Sequence, residues 1–154
     1  MENNILTKEY VLDNGVNLEE LWNEYCSDRI LDKPEDEGGK PFTGLVYELY
    51  SNNEIDYYCF YKDGFEHGDY VEFYENRNIK SIQYMEYGTI VGKEETWFES
   101  GSLKSVAEYK YGVCLRLKEW NEEGNLIKEK LEPTENDLNI INRQKEWYKV
   151  IGRE

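Results

Sequence analysis

The amino-acid sequence predicts a mainly β protein, an elongated antiparallel β-meander of 24-residue hairpin repeats. A C-terminal capping α-helix and a small N-terminal α/β segment complete the predicted fold. Aromatic residues make up 15% of the 154 residues, and 14 of them are tyrosines, which suit pleated, half-buried surfaces. From residue 44 onward, glycines and apolar residues also recur every 24 residues in fixed columns. Because a chain of this length fits one domain, we expect residues 1–154 to form a single domain.

The repeat spans residues 44–132 in three full rows and a fourth row that is one residue shorter. Glycines open the full rows at Gly44, Gly68 and Gly92. A second glycine column holds Gly64, Gly88 and Gly112, and an apolar column holds Ile55, Ile79 and Leu103. In the fourth row, Trp120 aligns with Trp97, Gly124 with Gly101 and Leu126 with Leu103. Such self-similarity at a fixed period is typical of repeat architectures.

Each full row carries two turn signals. The second of them is an X-Gly pair, and the first ends in Asn or Gly in every row except the second, where Arg77 stands. Gly and Asn tolerate the positive φ that tight hairpins need, so we expect a looser first turn at Arg77. Two turns per row predict about eight antiparallel strands between residues 44 and 132.

Alternation along the strands sorts their side chains onto two faces of the predicted sheet. One face, which we expect to be core, carries Tyr47, Leu49, Val71, Phe73 and Trp97. The other mixes acidic and aromatic residues, and two interpretations of it remain open: an outer binding face, or the second side of a two-sided core. On the first interpretation the candidate partner-binding residues of this face are Glu48, Tyr70, Glu72, Tyr74 and Glu94.

The chain ends on either side of the repeats are suited to covering the open edges of a sheet. Residues 1–43 are predicted to form an N-terminal cap: a strand at 5–12, a turn at 13–15, and a short helix from Asn17 to about Tyr25. A polar loop follows, in which Glu35, Asp36 and Glu37 are candidates for steering a basic partner. This segment holds 4 basic and 11 acidic residues, a net charge of −7.

Residues 133–154 are predicted to form the C-terminal helix. Thr134 is its expected N-cap, with Asp137 three residues on, and Gly152 its expected end. Leu138, Ile141 and Tyr148 give an apolar stripe at helical spacing. We favour a helix that packs on the last hairpin, with a partner-binding helix as the alternative.

Composition excludes several classes of function. Eighteen basic against 33 acidic residues give a net charge of −15, which repels nucleic acid and anionic lipid but attracts basic proteins. The three cysteines lack CxxC spacing, which argues against a zinc site. The single histidine, His67, is expected in an exposed turn, which argues against a nucleophile pair. We therefore predict no enzyme, no metal and no cofactor. The segment MENNILTKEY lacks a signal-peptide layout, which predicts a cytoplasmic protein.

The rows, together with their lead-in Lys40-Pro41-Phe42-Thr43-Gly44, resemble the MORN-variant repeat. Taken whole, the chain is similar to the YwqK-type antitoxin and immunity proteins. That resemblance implies a folded protein without catalytic residues that binds and occludes a cognate bacterial toxin, often a nuclease or deaminase. The net charge of −15 predicts that this toxin is basic. A MORN-like scaffold with another protein partner is the alternative.

Overall fold

The computed structural model describes residues 4–153. Met1–Asn3, at the start of the segment MENNILTKEY, and Glu154 lie outside the described residues. Two α-helices, α1 (Lys8–Asn14) and α2 (Glu135–Val150), flank the strands. The strands are β1 (Val16–Asn17), β2 (Trp22–Asn23), β3 (Ile30–Leu31), β4 (Gly44–Leu49), β5 (Ile55–Lys62), β6 (Phe65–Phe73), β7 (Ile79–Glu86), β8 (Thr89–Trp97), β9 (Leu103–Lys110), β10 (Val113–Trp120) and β11 (Leu126–Lys130).

Eight of these strands, β4 to β11, form one antiparallel meander in which each strand pairs with the next in sequence. The short strand β1 adds to the β4 edge in parallel orientation. The predicted fold class is therefore confirmed, including the number of strands between residues 44 and 132. Strands β2 and β3 make a separate two-stranded hairpin beside this sheet.

The two turns of each row have different, regularly repeated geometries. In the X-Gly turns both residues have positive φ, for example 48° at Tyr87 and 77° at Gly88, as a type I′ turn requires. In the first turns, the residue two positions before the return strand has positive φ, and Arg77 adopts it at 74°. Its N–H donates to Tyr74 O at 2.9 Å, as Asn53 N–H does to Tyr50 O. The expected looser turn at Arg77 was wrong, because the flanking hairpin imposes the same conformation.

A hydrogen-bond ladder links successive rows. The Tyr50 hydroxyl donates to Phe73 O at 2.6 Å, and the Tyr74 hydroxyl donates to Trp97 O at 2.8 Å. A β-bulge lies at the same place in each row, for example between Glu72 and Phe73. Such bulges bend a strand and increase its twist, so their recurrence gives the rows a common curvature.

The sheet is packed on both faces over β4 to β6. One buried cluster contains Tyr58 and Val71 with Val11 of α1, and the cluster on the opposite face contains Val46 and Cys59 with Ile30 of β3. Of the two interpretations of the acidic and aromatic face, the two-sided core is thus correct for these strands. The face is covered there because residues 17–43 fold over it.

The N-terminal segment differs from its predicted elements. Residues 8–12 of the predicted strand and residues 13–14 of the predicted turn form α1, which the Thr7 side chain caps by accepting a hydrogen bond from Tyr10 N. The predicted helix from Asn17 is only one 3₁₀ turn, Leu18–Glu20, although Asn17 does cap it. The strand prediction was wrong because Val11 is the only buried residue of α1, and a single buried position leaves no helical stripe in the sequence.

Helix α2 begins with the predicted capping box. Thr134 Oγ1 accepts from Asp137 N, and Asp137 Oδ2 accepts from Thr134 N at 2.8 Å. The helix runs along the X-Gly turns, where the Tyr148 hydroxyl bonds Thr89 Oγ1 at 3.2 Å and its ring meets Tyr111 edge-on. Within residues 4–153, neither helix combines the length and the apolar character needed to cross a membrane.

Candidate partner-binding surfaces

The predicted sheet-face residues lie on alternate strands of the sheet: Glu48 on β4, Tyr70 and Glu72 on β6, and Glu94 on β8, with Tyr74 directly after the end of β6. Glu48 and Glu72 both face Tyr57, which lies on the strand between them. Glu72 also pairs with Ser81, whose hydroxyl lies 3.3 Å from its Oε2, and with Lys80 Nζ at 3.5 Å. These carboxylates are half-buried, so a partner would contact only the exposed part of each side chain.

The two tyrosines of the predicted set are engaged within the protein. The Tyr70 ring stacks on the Tyr57 ring, with centroids 5.2 Å apart and an interplanar angle of 6°. Tyr74 supplies the ladder hydroxyl described above, and Lys80 Nζ lies 5.7 Å from the centre of its ring. Both side chains therefore stabilise the sheet, and their half-buried rings offer a partner only a limited surface.

Burial dominates the electrostatics of this face. Burial raises the pKa of Glu48, and the nearby Asp56 and Glu19 carboxylates raise it further. Burial also raises the pKa of Glu94, partly offset by its hydrogen bond with Tyr109. The pKa of Tyr109 is raised in turn, to about 12, first by burial and then by Glu94. The negative charges of Glu48 and Glu94 are therefore held at some free-energy cost, which a cationic partner would relieve.

The acidic residues Glu35, Asp36 and Glu37 form one exposed 3₁₀ turn. The loop around it is tightly built. Gly39 N–H donates to Pro34 O and Gly38 N–H to Glu35 O, both at 3.0 Å, so backbone hydrogen bonds close the acidic turn. A Cβ on Gly39 would overlap Lys33 O, which excludes other side chains at this position.

Beside the acidic turn, the β2–β3 hairpin presents two exposed aromatic rings that were not among the predicted site residues. Trp22 is 44% exposed and Tyr25 is 84% exposed. The Tyr25 N–H donates to Glu35 Oε2 at 2.8 Å, which ties the hairpin to the acidic turn. We call the resulting depression, of about 560 Å³, the acidic groove; its lining residues are Trp22, Asn23, Tyr25, Pro34, Glu35 and Asp36.

A second exposed tryptophan lies in a different electrostatic setting. Trp147 of α2 is 50% exposed, and it lines a depression of about 530 Å³ with Ile140, Arg143 and Gln144. Here the charged lining residue is basic, whereas the charged residues of the acidic groove are carboxylates. The two tryptophans therefore provide a natural comparison of similar exposure with opposite charge.

Residues with catalytic or metal-binding chemistry are dispersed. Within residues 4–153, no three His, Cys, Asp or Glu side chains are grouped so as to hold a metal ion. His67 lies in β6 and is half-buried rather than in the exposed turn we expected, since the turn is at Asp63-Gly64. Its Nδ1 accepts from Tyr87 N at 3.2 Å, and its ring packs on the Tyr87 ring. Cys59 is fully buried, which raises the pKa of its thiol.

Comparison with known proteins identifies a full-length relative. Over 155 aligned residues, the chain is 55% identical to the immunity protein YwqK of Bacillus subtilis (strain 168), and the alignment covers all of both proteins. Neither a protein-family model nor a solved structure matches the chain, so the resemblance to the MORN-variant repeat stays a prediction. At this identity and coverage, the chain belongs to the YwqK immunity protein family.

Proposed function

We propose that this protein is a non-enzymatic immunity protein that acts in the cytoplasm by binding and occluding a cognate bacterial toxin. Its membership in the family of a protein named as an immunity protein carries the proposal. The proposed toxin is basic and of the nuclease or deaminase class. We further propose that the 24-residue rows are MORN-variant repeats within a single domain, because their bulges, turns and tyrosine ladder recur in register.

Charge supports a basic partner. The net charge of −15 attracts cations over distances of about 8–10 Å at physiological salt. Enzymes that act on nucleic acid carry basic surfaces to bind phosphates. An acidic protein that covers such a surface competes directly with the substrate, so occlusion and charge recognition would be the same event.

Within this proposal, the sheet-face carboxylates and the acidic turn act as separate contact regions. Glu48, Glu72 and Glu94 are half-buried and suited to short-range contacts. Glu35, Asp36 and Glu37 are exposed and suited to steering a basic protein during approach. Tyr70 and Tyr74 would contribute through the carboxylates that they position, because their own rings are engaged in the sheet.

The proposal is tested by co-expression with proteins encoded next to this gene. We expect one of them to arrest growth when expressed alone, and this protein to restore growth and bind it in a purified complex. If no neighbouring gene encodes a toxic protein, or if protection occurs without binding, the proposal of neutralisation by occlusion is wrong. In those cases a MORN-like scaffold with another partner becomes the better interpretation.

Charge reversal tests the sheet face separately. The double variant Glu48→Lys/Glu72→Lys should weaken toxin binding by about tenfold or more, the effect of losing roughly 1.4 kcal/mol. The neutral variant Glu48→Gln/Glu72→Gln, which keeps the size of both side chains, should show a smaller loss. Circular dichroism checks that both variants fold. Unchanged affinity of the folded reversal variant would remove this face from the contact surface.

A further inference from the structure

We infer that the acidic groove, rather than the sheet face, is the main anchor for the partner, and that it receives an arginine side chain from a basic loop of that protein. The inference rests on the proposed function, since it specifies which surface of this chain the basic partner occupies.

Two exposed aromatic rings in the groove indicate a contact surface. Contiguous exposed apolar surface rimmed by polar residues marks interaction sites, and tryptophan and tyrosine are among the residue types most enriched at binding hot spots. Trp22 and Tyr25 lie three residues apart in one hairpin, with exposed fractions of 44% and 84%. Pro34 extends the apolar floor of the same groove.

The charge of the groove identifies the occupant. Glu35 and Asp36 line it together with the two rings, and its lining includes no basic residue. The nearby Arg29 is held elsewhere, at 3.5 Å from Glu24 and stacked over Phe65. A guanidinium can stack on an aromatic ring and bind a carboxylate in two-pronged fashion at the same time, whereas a lysine ammonium lacks the planar fork. Arginine is therefore the side chain that this combination fits.

The groove is also rigid, which favours binding. Ile30 and Leu31, on the strand paired with Trp22, are 5% and 1% exposed. Ile30 N–H donates to Gly64 O at 3.0 Å, which joins the hairpin to the β5–β6 turn. Lys40 N–H donates to Asp32 Oδ1 at 2.8 Å and closes the loop that carries the acidic turn. Ordering this surface on binding therefore costs little free energy.

The sheet face lacks this combination. Its stacked rings, Tyr57 and Tyr70, are mostly covered by the N-terminal segment, and its Glu72 carboxylate already has a cationic neighbour, Lys80, at 3.5 Å. The basic depression at Trp147 has the exposed ring but the opposite charge. Only the acidic groove, among the surfaces of residues 4–153 described above, offers both an open aromatic ring and carboxylates.

The experiment uses the full-length protein and a defined probe, the peptide acetyl-Gly-Arg-Gly-Arg-Gly-amide. The peptide is titrated into ¹⁵N-labelled protein, and the indole signals of the four tryptophans are followed by NMR. We expect the Trp22 indole and the backbone amides of residues 22–36 to shift, with saturation, while the Trp147 indole stays in place. Largest shifts at residues 48–74, shifts spread over the whole surface, or no saturable shift would overturn the inference.

Matched variants separate aromatic stacking from charge. Tyr25→Ala, at a position that is 84% exposed, should fold normally and weaken peptide binding several-fold, and Trp22→Ala should weaken it about tenfold. Trp147→Ala is the control for a tryptophan of similar exposure and should have no effect. The lysine peptide acetyl-Gly-Lys-Gly-Lys-Gly-amide should bind more weakly than the arginine peptide. Equal binding of both peptides would indicate charge attraction alone and would overturn the arginine anchor.

The same variants distinguish this inference from the proposed function. If toxin neutralisation is confirmed but Trp22→Ala and Tyr25→Ala leave toxin affinity unchanged, the anchor is wrong and the immunity function stands. If the peptide binds at the groove but no neighbouring gene product is neutralised, the groove stands as an arginine-binding surface and the immunity function falls.

Discussion

The two ends of the sheet share one repeat but differ in what covers them. We call β4 to β6 the covered half and β8 to β11 the open half. In the covered half both faces are buried, under α1 on one side and residues 17–43 on the other. Over the open half, α2 contacts the X-Gly turns, and apolar side chains such as Leu103 and Leu126 remain 37% and 48% exposed. The repeat thus determines strand geometry, while the chain ends determine where a core forms.

One apolar column shows the difference at equivalent positions. Ile55 is 7% exposed, Ile79 is half-buried, and Leu103 and Leu126 are exposed. In a repeat protein, stability is approximately the sum of each repeat and its interfaces with neighbours. The covered half has additional interfaces with the N-terminal segment, so we expect most of the folding free energy to reside there.

Truncation along this column gives the largest expected effect. Ile55→Ala should lower the free energy of unfolding by about 2–5 kcal/mol, because it leaves a cavity in a packed core. Leu103→Ala should lower it by about 1 kcal/mol or less, because its side chain is already partly in water. Urea unfolding at constant m-value measures both. Equal losses at the two positions would show that the two halves contribute alike to stability.

Removal of the ladder hydroxyls has a smaller expected effect and should be similar along the sheet. Tyr50→Phe and Tyr74→Phe each remove one hydrogen bond to the backbone of the next row. Each should cost about 0.5–1.5 kcal/mol, because the bond depends on the repeat and not on the cover. Tyr84→Phe, at a residue 42% exposed, serves as the control. A loss several times larger for Tyr50 than for Tyr74 would tie the ladder to the covered half.

The sequence predicted the features that depend on local chemistry. The X-Gly pairs specify type I′ turns, the glycine and aromatic columns specify the register of the meander, and Thr134 with Asp137 specifies the start of α2. Each of these signals lies within a few residues of the structure it produces. For that reason the fold class and the eight strands could be predicted before any tertiary contact was known.

The remaining features depend on contacts between distant segments. Val46 lies on the face for which the sequence leaves both an outer and an inner interpretation open, and only the cover formed by residues 17–43 shows that it is buried. Strands β2 and β3 have two residues each, too few for an alternating pattern. Trp22 and Tyr25 were therefore not identified as a surface, although two aromatic residues within a strongly acidic segment were the available signal.

The smallest predicted effect is a difference in pH dependence between the two halves. In the covered half, burial raises the pKa of Glu66 above its ordinary 4.5; the Tyr61 hydrogen bond opposes the shift, and Asp28 adds to it. At the end of the open half, hydrogen bonds from Lys130 and Thr134 lower the pKa of Asp137 from 3.8 to about 2. The protonated form of Glu66 and the ionised form of Asp137 therefore favour folding.

The two pKa shifts predict opposite changes of folding stability with pH. The stability linked to Glu66 is fully present below pH 4.5 and is lost as the pH rises through its higher folded pKa. Glu66→Gln should thus raise the unfolding midpoint at neutral pH and flatten the profile just above pH 4.5.

The stability linked to Asp137 is present above pH 3.8 and is lost as the pH falls towards 2. Asp137→Asn should lower the midpoint at neutral pH but approach wild type in acid. Thermal unfolding across this pH range measures both, and profiles parallel to wild type would contradict the assignment of these shifts to Glu66 and Asp137.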